Sequence, residues 1–398
     1  MPGTSRDLTR LRTAITAFFA LDGFLFAGWV VRIPAIKHQT GASAADLGLA
    51  LLGVSAGAVL TMTPTGRLCR RYGSHQVTVV CAVLLSLSVA LPPLPHSVLA
   101  LGAVLLIFGA AYGSINVAFN SAAVDLVTAL RRPIMPSFHA AFSLGGMVGA
   151  GLGGLVAGAL SPTLHLAGLA VAGLLVTAVA APTLLRHEPP PAPSPAPSGP
   201  SGPSAPSAPE PSRRPQGRTR GLVIVFGLIA GCTAYGEGAM ADWGALHLEQ
   251  DLDASSGVAA LGYSCFALAM TIGRLSGTAL LERLGHGRTV VAGGATAAAG
   301  MLLGSLAPSL WAALLGFAVT GLGLANLFPV AVERAGTLAG PSGVATASTF
   351  GYGGMLLGPP AIGFMADWLS LPVALTSVAV LAAIATLIGV ATRRAVPN

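Results

Sequence analysis

Apolar residues run in blocks of about twenty along nearly the whole chain, each closed by a short cluster of Gly, Pro, Ser or Arg. This is the pattern expected when the solvent around a helix is hydrocarbon about 30 Å thick. Read with a window of about nineteen residues, it predicts twelve spanning helices, at 11–31, 47–65, 77–91, 97–120, 134–159 and 165–185, then at 221–243, 258–281, 289–306, 309–331, 344–366 and 371–390. The stretch between the two sets of six, 186–220, holds twelve of the 29 prolines and shows no apolar periodicity. It builds no core and reads as a disordered, partly extended tether, with docking of a proline-recognising partner as the lesser alternative. The expected organisation is an all-α membrane protein of two six-helix bundles, 1–185 and 221–398, joined by 186–220.

Composition agrees with a lipid solvent. Of 398 residues 53% are hydrophobic and only 9% charged, against roughly 25% charged in a soluble protein. The net charge of +7 implies a nucleic-acid partner only if the bases gather on one exposed face, and here they sit in alternate loops. With the amino terminus placed in the cytoplasm, eighteen of the 21 basic residues fall in inner loops, Arg32 and Lys37 fall outside, and Arg274 lies within a span. The positive-inside rule thus places both termini in the cytoplasm of a multi-pass protein of the plasma or inner membrane. Arg6, Arg10 and Arg12 precede an apolar run containing Asp22 and no small-residue cleavage site, so the amino terminus reads as a first span rather than a removed signal. Cys69, Cys81, Cys232 and Cys265 form no CxxC pair and have no ligand spacing, so neither a disulfide frame, a metal nor a cofactor is indicated.

The two sets of six echo each other. Gly113-Ser114-Ile115-Asn116 lies against Gly323-Leu324-Ala325-Asn326, and Phe142-Ser143-Leu144-Gly145-Gly146-Met147 against Phe350-Gly351-Tyr352-Gly353-Gly354-Met355. Ala27-Gly28-Trp29 matches Ala241-Asp242-Trp243, and Arg71-Tyr72-Gly73 matches Arg283-Leu284-Gly285. With this duplication, essentially the whole chain outside the tether resembles the major facilitator superfamily. The loop Gly66-Arg67-Leu68-Cys69-Arg70-Arg71-Tyr72-Gly73 is similar to its G-x-x-x-D-R-x-G signature, with Arg70 where the acid stands. The second copy keeps an acid and a base at Glu282-Arg283-Leu284-Gly285, and Thr278 replaces the first glycine. Gly66, Arg70, Arg71, Gly73, Glu282, Arg283 and Gly285 are therefore the candidates for a cytoplasmic gating loop. WVVRIP at 29–34, RPIMPSFHAAFSL at 132–144 and Asn326-Leu327-Phe328-Pro329 look like the YbjJ-type branch near the fucose permeases.

Ionisable groups inside a span are functional candidates by default. Asp22 and Glu237, one position apart when the halves are aligned, are the proton-coupling candidates, both expected to face a central cavity. The fucose permease resemblance implies a proton-carrying acid in the first span, matched by Asp22, and a second in the fourth span, where this chain has Asn116. Tyr112, Asn116 and Asn120, spaced i, i+4, i+8, put a hydroxyl and two amides on one helix face, with Asn326 as the symmetric amide and Pro329 loosening its helix. Tyr352, Trp29 and Trp243 complete the substrate-cavity candidates, although an interfacial aromatic belt explains the tryptophans as well. For Arg274 the alternatives are snorkelling, pairing with an acid such as Glu282, or a cavity role. His139 reads as packed.

A G-x-G-x-x-G at 149–154 follows no strand and a G-x-S-x-G at 53–57 has no triad, so both are coincidences of small residues. Gly354 to Pro359 is similar to an antiporter glycine–proline motif but lies in the eleventh span. The expected function is secondary active transport by alternating access, without enzymatic activity. The solute would be small and polar or sugar-like, the energy source protons, and the working unit a monomer in the lipid bilayer. Export of drugs or secondary metabolites is the alternative, and a non-transporting membrane sensor or a lipid-modifying enzyme the competing class.

Overall fold

The computed structural model describes residues 5–42, 44–186, 216–254 and 256–392, and among them the chain is helix and short connections only, with no strand. The first half contains α1 (Ser5–Val30), α2 (Ile33–Thr40), α3 (Ala44–Tyr72), α4 (Ser74–Ser88), α5 (Val98–Leu130), α6 (Met135–Val156) and α7 (Pro162–Arg186). The second contains α8 (Gln216–Gln250), α9 (Ser256–Leu284), α10 (His286–Leu306), α11 (Leu310–Leu324), α12 (Leu327–Ala339), α13 (Pro341–Trp368) and α14 (Leu371–Thr392).

Ten described stretches are long and apolar enough to cross a membrane, α11 and α12 counting as one of 30 residues. They coincide with ten of the twelve expected spans. The other two correspond to α4, which is only 15 residues long before the chain turns at 89–95, and to α13, of 28 residues. Most helices overrun their apolar blocks: α3 continues to Tyr72, α5 to Leu130 and α8 to Gln250. Hydropathy marks only the oily part of a helix, whereas the helix persists where polar side chains can reach headgroups and water. For the same reason 216–220, expected as tether, is the start of α8. The rest of that tether, 187–215, lies outside the described residues.

Within each half, glycines let backbones touch. A Cβ on Gly145 would run into the carbonyl of Ala20, and one on Gly149 into that of Phe24, so α6 lies directly on α1. Gly354 does the same against Gly231, joining α13 to α8. In lipid, where oil gains nothing by meeting oil, such close approach is the main source of helix association.

The duplicated Arg-x-Gly turns fold alike. Gly73 caps α4 at φ 88° and Gly285 caps α10 at φ 76°, left-handed values that only glycine adopts freely. The expected loosening near Pro329 is a two-residue interruption, since α11 ends at Leu324 and α12 begins at Leu327. Pro329 has no N–H to give to the carbonyl four residues back, and that carbonyl, of Ala325, accepts from Arg274 Nε at 3.3 Å instead. Arg32, one of two basic residues outside the arginine-rich end, has a structural reason to be there. Buried, it donates to His165 Nδ1 at 2.8 Å and to the carbonyls of Ala157 and Val156, closing the end of α6.

Candidate functional site

A cavity of about 430 Å³ lies between the halves, walled by α1, α5 and α6 on one side and by α8, α9, α12 and α13 on the other. Its farthest residues, Val31 and Ala150, stand toward the ends of α1 and α6 remote from the arginine-rich loops. Toward those loops the halves touch. Gly66 packs so tightly on α13 that a Cβ there would sit 2.8 Å from Ala345 Cβ and 2.9 Å from the Pro341 carbonyl. Arg132 bonds Glu282 at 2.7 Å across the same boundary. That pair is about half exposed on both sides, and exposed ion pairs contribute at most about 1 kcal/mol. Arg132→Gln is therefore expected to leave the melting temperature of the detergent-solubilised protein nearly unchanged, and a shift of more than about 5 °C would contradict this.

Most of the wall is aromatic or aliphatic, including Phe19, Phe26, Phe119, Phe142, Phe266 and Phe328. The polar groups converge on Arg274, whose guanidinium is almost wholly buried. Besides Ala325, it donates through Nη2 to Glu237 Oε1 at 3.0 Å and through Nη1 to Ser143 Oγ, in the opposite half, at 2.8 Å. A planar fork that cannot lose its charge suits three acceptors in three directions. Arg274 is neither snorkelling nor paired with Glu282, which Arg132 occupies. The expected end of its span, residue 281, placed it too near the membrane surface, whereas α9 runs on to Leu284 and leaves Arg274 almost three turns inside.

Glu237 is in the wall, as expected, but Asp22 is not. Asp22 is completely buried on α1, and neither carboxylate oxygen has a hydrogen-bond partner among the described residues. One position of offset between the aligned halves rotates a helical side chain by about 100°, enough to take Asp22 out of the wall that Glu237 occupies. Asp22 lies within electrostatic reach of Tyr112 and Tyr352, whose rings meet edge to face at 5.9 Å. Phe26 stacks on Tyr112 at 4.7 Å.

Tyr112, Asn116 and Tyr352 line the cavity as the sequence suggested, and Asn116 Oδ1 accepts from Ser348 Oγ across the halves at 3.4 Å. Asn120 does not reach it: fully buried, it donates to the Asn116 carbonyl at 2.8 Å. Asn326 is also turned away, bonding the Gly273 carbonyl at 3.0 Å beside the break between α11 and α12. Trp29 is neither belt nor wall, because it is buried against Phe108 with ring centroids 6.0 Å apart. Trp243 packs beside Gly363 with Nε1 buried and unpartnered. The exposed tryptophans are Trp311 and Trp368. Arg70, Arg71 and Arg283 are exposed, and Arg71 lies over the Tyr72 ring at 5.2 Å. His139 does pack, between Phe19 and Phe328, but it also lines the cavity with Nε2 unpartnered. Sequence reasoning missed Ser143 as the cross-half acceptor of Arg274. Its place directly behind Phe142 in the duplicated block was the available signal.

Two helical bundles around a largely apolar cavity, crossed by one buried arginine and closed toward the arginine-rich loops, define a membrane transport protein rather than an enzyme. The pattern of the Major Facilitator Superfamily matches the chain twice, over residues 13–243 and 226–397, and the chain belongs to that family. It is 34% identical over 385 residues to an uncharacterized MFS-type transporter of Yersinia pestis, covering 96% of this chain and 94% of the relative. Its fold is similar to that of FucP, from E. coli, in the outward conformation, with a TM-score of 0.74 at 16% identity, covering 95% of this chain and 97% of the other. It is also similar to the human organic anion transporter MFSD10 (TETRAN), with a TM-score of 0.75 at 19% identity, covering 96% and 99%.

Proposed function

We propose that this transporter moves a small polar, sugar-like solute by alternating access coupled to protons, with Asp22 and Glu237 as the proton-carrying groups. The observation that carries the reading is the pairing of one cavity between the halves with a sealed, unpartnered acid beside it. An ionised carboxylate without partners is costly in such a place, which supports Asp22 as a group that carries a proton in this conformation and meets water in another. Glu237 and Ser143 hold Arg274 across the cavity, and a solute with several hydroxyls supplies acceptors that replace them. Tyr112, Asn116 and Tyr352 offer further donors and acceptors, and the phenylalanines a face for the apolar side of a sugar ring. The cavity reaches the ends of α1 and α6 while the arginine-rich end is closed, which fits an outward-facing state with both termini cytoplasmic, in the cell membrane, as a monomer. FucP, the similar fold, is described as a fucose:proton symporter.

The six phenylalanines favour a second reading, export of an apolar drug or secondary metabolite. Vesicle transport separates the two: sugar-like solutes, not lipophilic drugs, are expected to drive proton movement. Asp22→Asn and Glu237→Gln should each abolish gradient-driven accumulation while leaving solute exchange measurable. Full accumulation by both variants would end the coupling assignment.

A further inference from the structure

A second cavity, of about 250 Å³, lies inside the second half at its arginine-rich end, away from the transport cavity. It is walled by α8 at Phe226 and Ile229, by the first turn of α10, by α12 at Val330 and Arg334, and by α14 at Gly389 and Thr392. Three basic side chains, His286, Arg288 and Arg334, line it together. The first N–H groups of α10 add to this positive field, because Gly285 caps that helix without any side-chain acceptor. Among the described residues the acid Glu333 is buried close by, and it accepts from His286 Nε2 at 2.9 Å.

The duplication shows which part of this arrangement the fold itself requires. In the first half the residue after the capping glycine, Ser74, donates to Asp125 Oδ2 at 2.9 Å, so a bond from the start of the third span to an acid on the fourth is common to both halves. The arginines are not. Register with the turn glycines sets Gln76 against Arg288, and register with the asparagines sets Val124 against Arg334. The first half thus makes the same helix contact with no arginine at these two positions.

We propose that this pocket binds a phosphate group on the arginine-rich side, either of a soluble anion or of an anionic phospholipid. Two guanidiniums and a helix start supply the forked and convergent donors that phosphate oxygens take. At this depth both a headgroup and a cytoplasmic solute have access.

The full-length protein in phosphatidylcholine nanodiscs tests the proposal in two arms, one titrated with inorganic phosphate against chloride at equal ionic strength, the other containing phosphatidylglycerol without phosphate. Melting temperature and native mass spectrometry are the readouts. Stabilisation of the unaltered protein is expected in at least one arm: phosphate alone identifies a soluble ligand, and phosphatidylglycerol alone, with retained lipid, identifies the headgroup. Arg288→Gln, at an exposed side chain that folding does not need, should weaken the effect about tenfold, and Arg288→Gln with Arg334→Gln should remove it. No stabilisation in either arm, or equal stabilisation of the double variant, overturns the site.

Discussion

Arg274→Gln is expected to lower solute accumulation in vesicles about a hundredfold or more and, unlike the acid variants, to lower solute exchange with it. The guanidinium holds together three things that no other side chain links: the open end of α11 at Ala325, the acid Glu237 of its own half, and Ser143 of the other half. Removing the guanidinium takes this partner from Glu237, which is itself partly exposed to the cavity; hydrogen bonds to charged groups contribute about 1.5 to 3 kcal/mol, and each 1.36 kcal/mol lost from the rate-limiting barrier is a factor of ten. Arg274→Lys should fail almost as badly, since an ammonium is a point charge and cannot address three directions with a planar fork. The pair Arg274→Gln and Glu237→Gln should be more stable than the sum of the single losses, which a double-mutant thermal melt reads directly. Transport above half the unaltered level in Arg274→Gln would remove this residue from the centre of the site.

Gly145→Leu is expected to destabilise the protein by more than about 3 kcal/mol, because its Cβ direction is filled by the carbonyl of Ala20. Gly151→Leu and Gly154→Leu supply the control. They are on the same helix, yet nothing lies within 4 Å of either Cβ position and both are exposed, so they should change stability by less than about 0.5 kcal/mol. Melting temperatures and the yield of monodisperse protein in detergent distinguish the three. Equal tolerance at all three positions would mean that α1 and α6 do not touch.

Spans and duplication were legible in the sequence because burial in hydrocarbon imposes one requirement on every residue of a block, and repeated blocks repeat it. Facing directions were less legible. Tyr112 and Asn116 differ by about one turn and share the wall, but eight residues is about 80° past two whole turns, which carries Asn120 out of the stripe and into the bundle. The aligned glycines misled in a similar way: Gly145 lies opposite Gly353 in sequence, yet the crowded positions are Gly145 and Gly354, and nothing lies within 4 Å of Gly353. One residue of slip turns a helix face by about 100°, and no hydropathy pattern reports it when both neighbours are glycine. The partners of Arg274 were beyond reach for a different reason, since Ser143 lies 131 positions away in the chain and only the docking of the halves brings it near.

The gap between α11 and α12 separates one membrane crossing into two rods with a joint at mid-depth. The two rods bury different surfaces: α11 packs on α10, while α12 carries Phe328 into the cavity wall and Glu333 into the bundle.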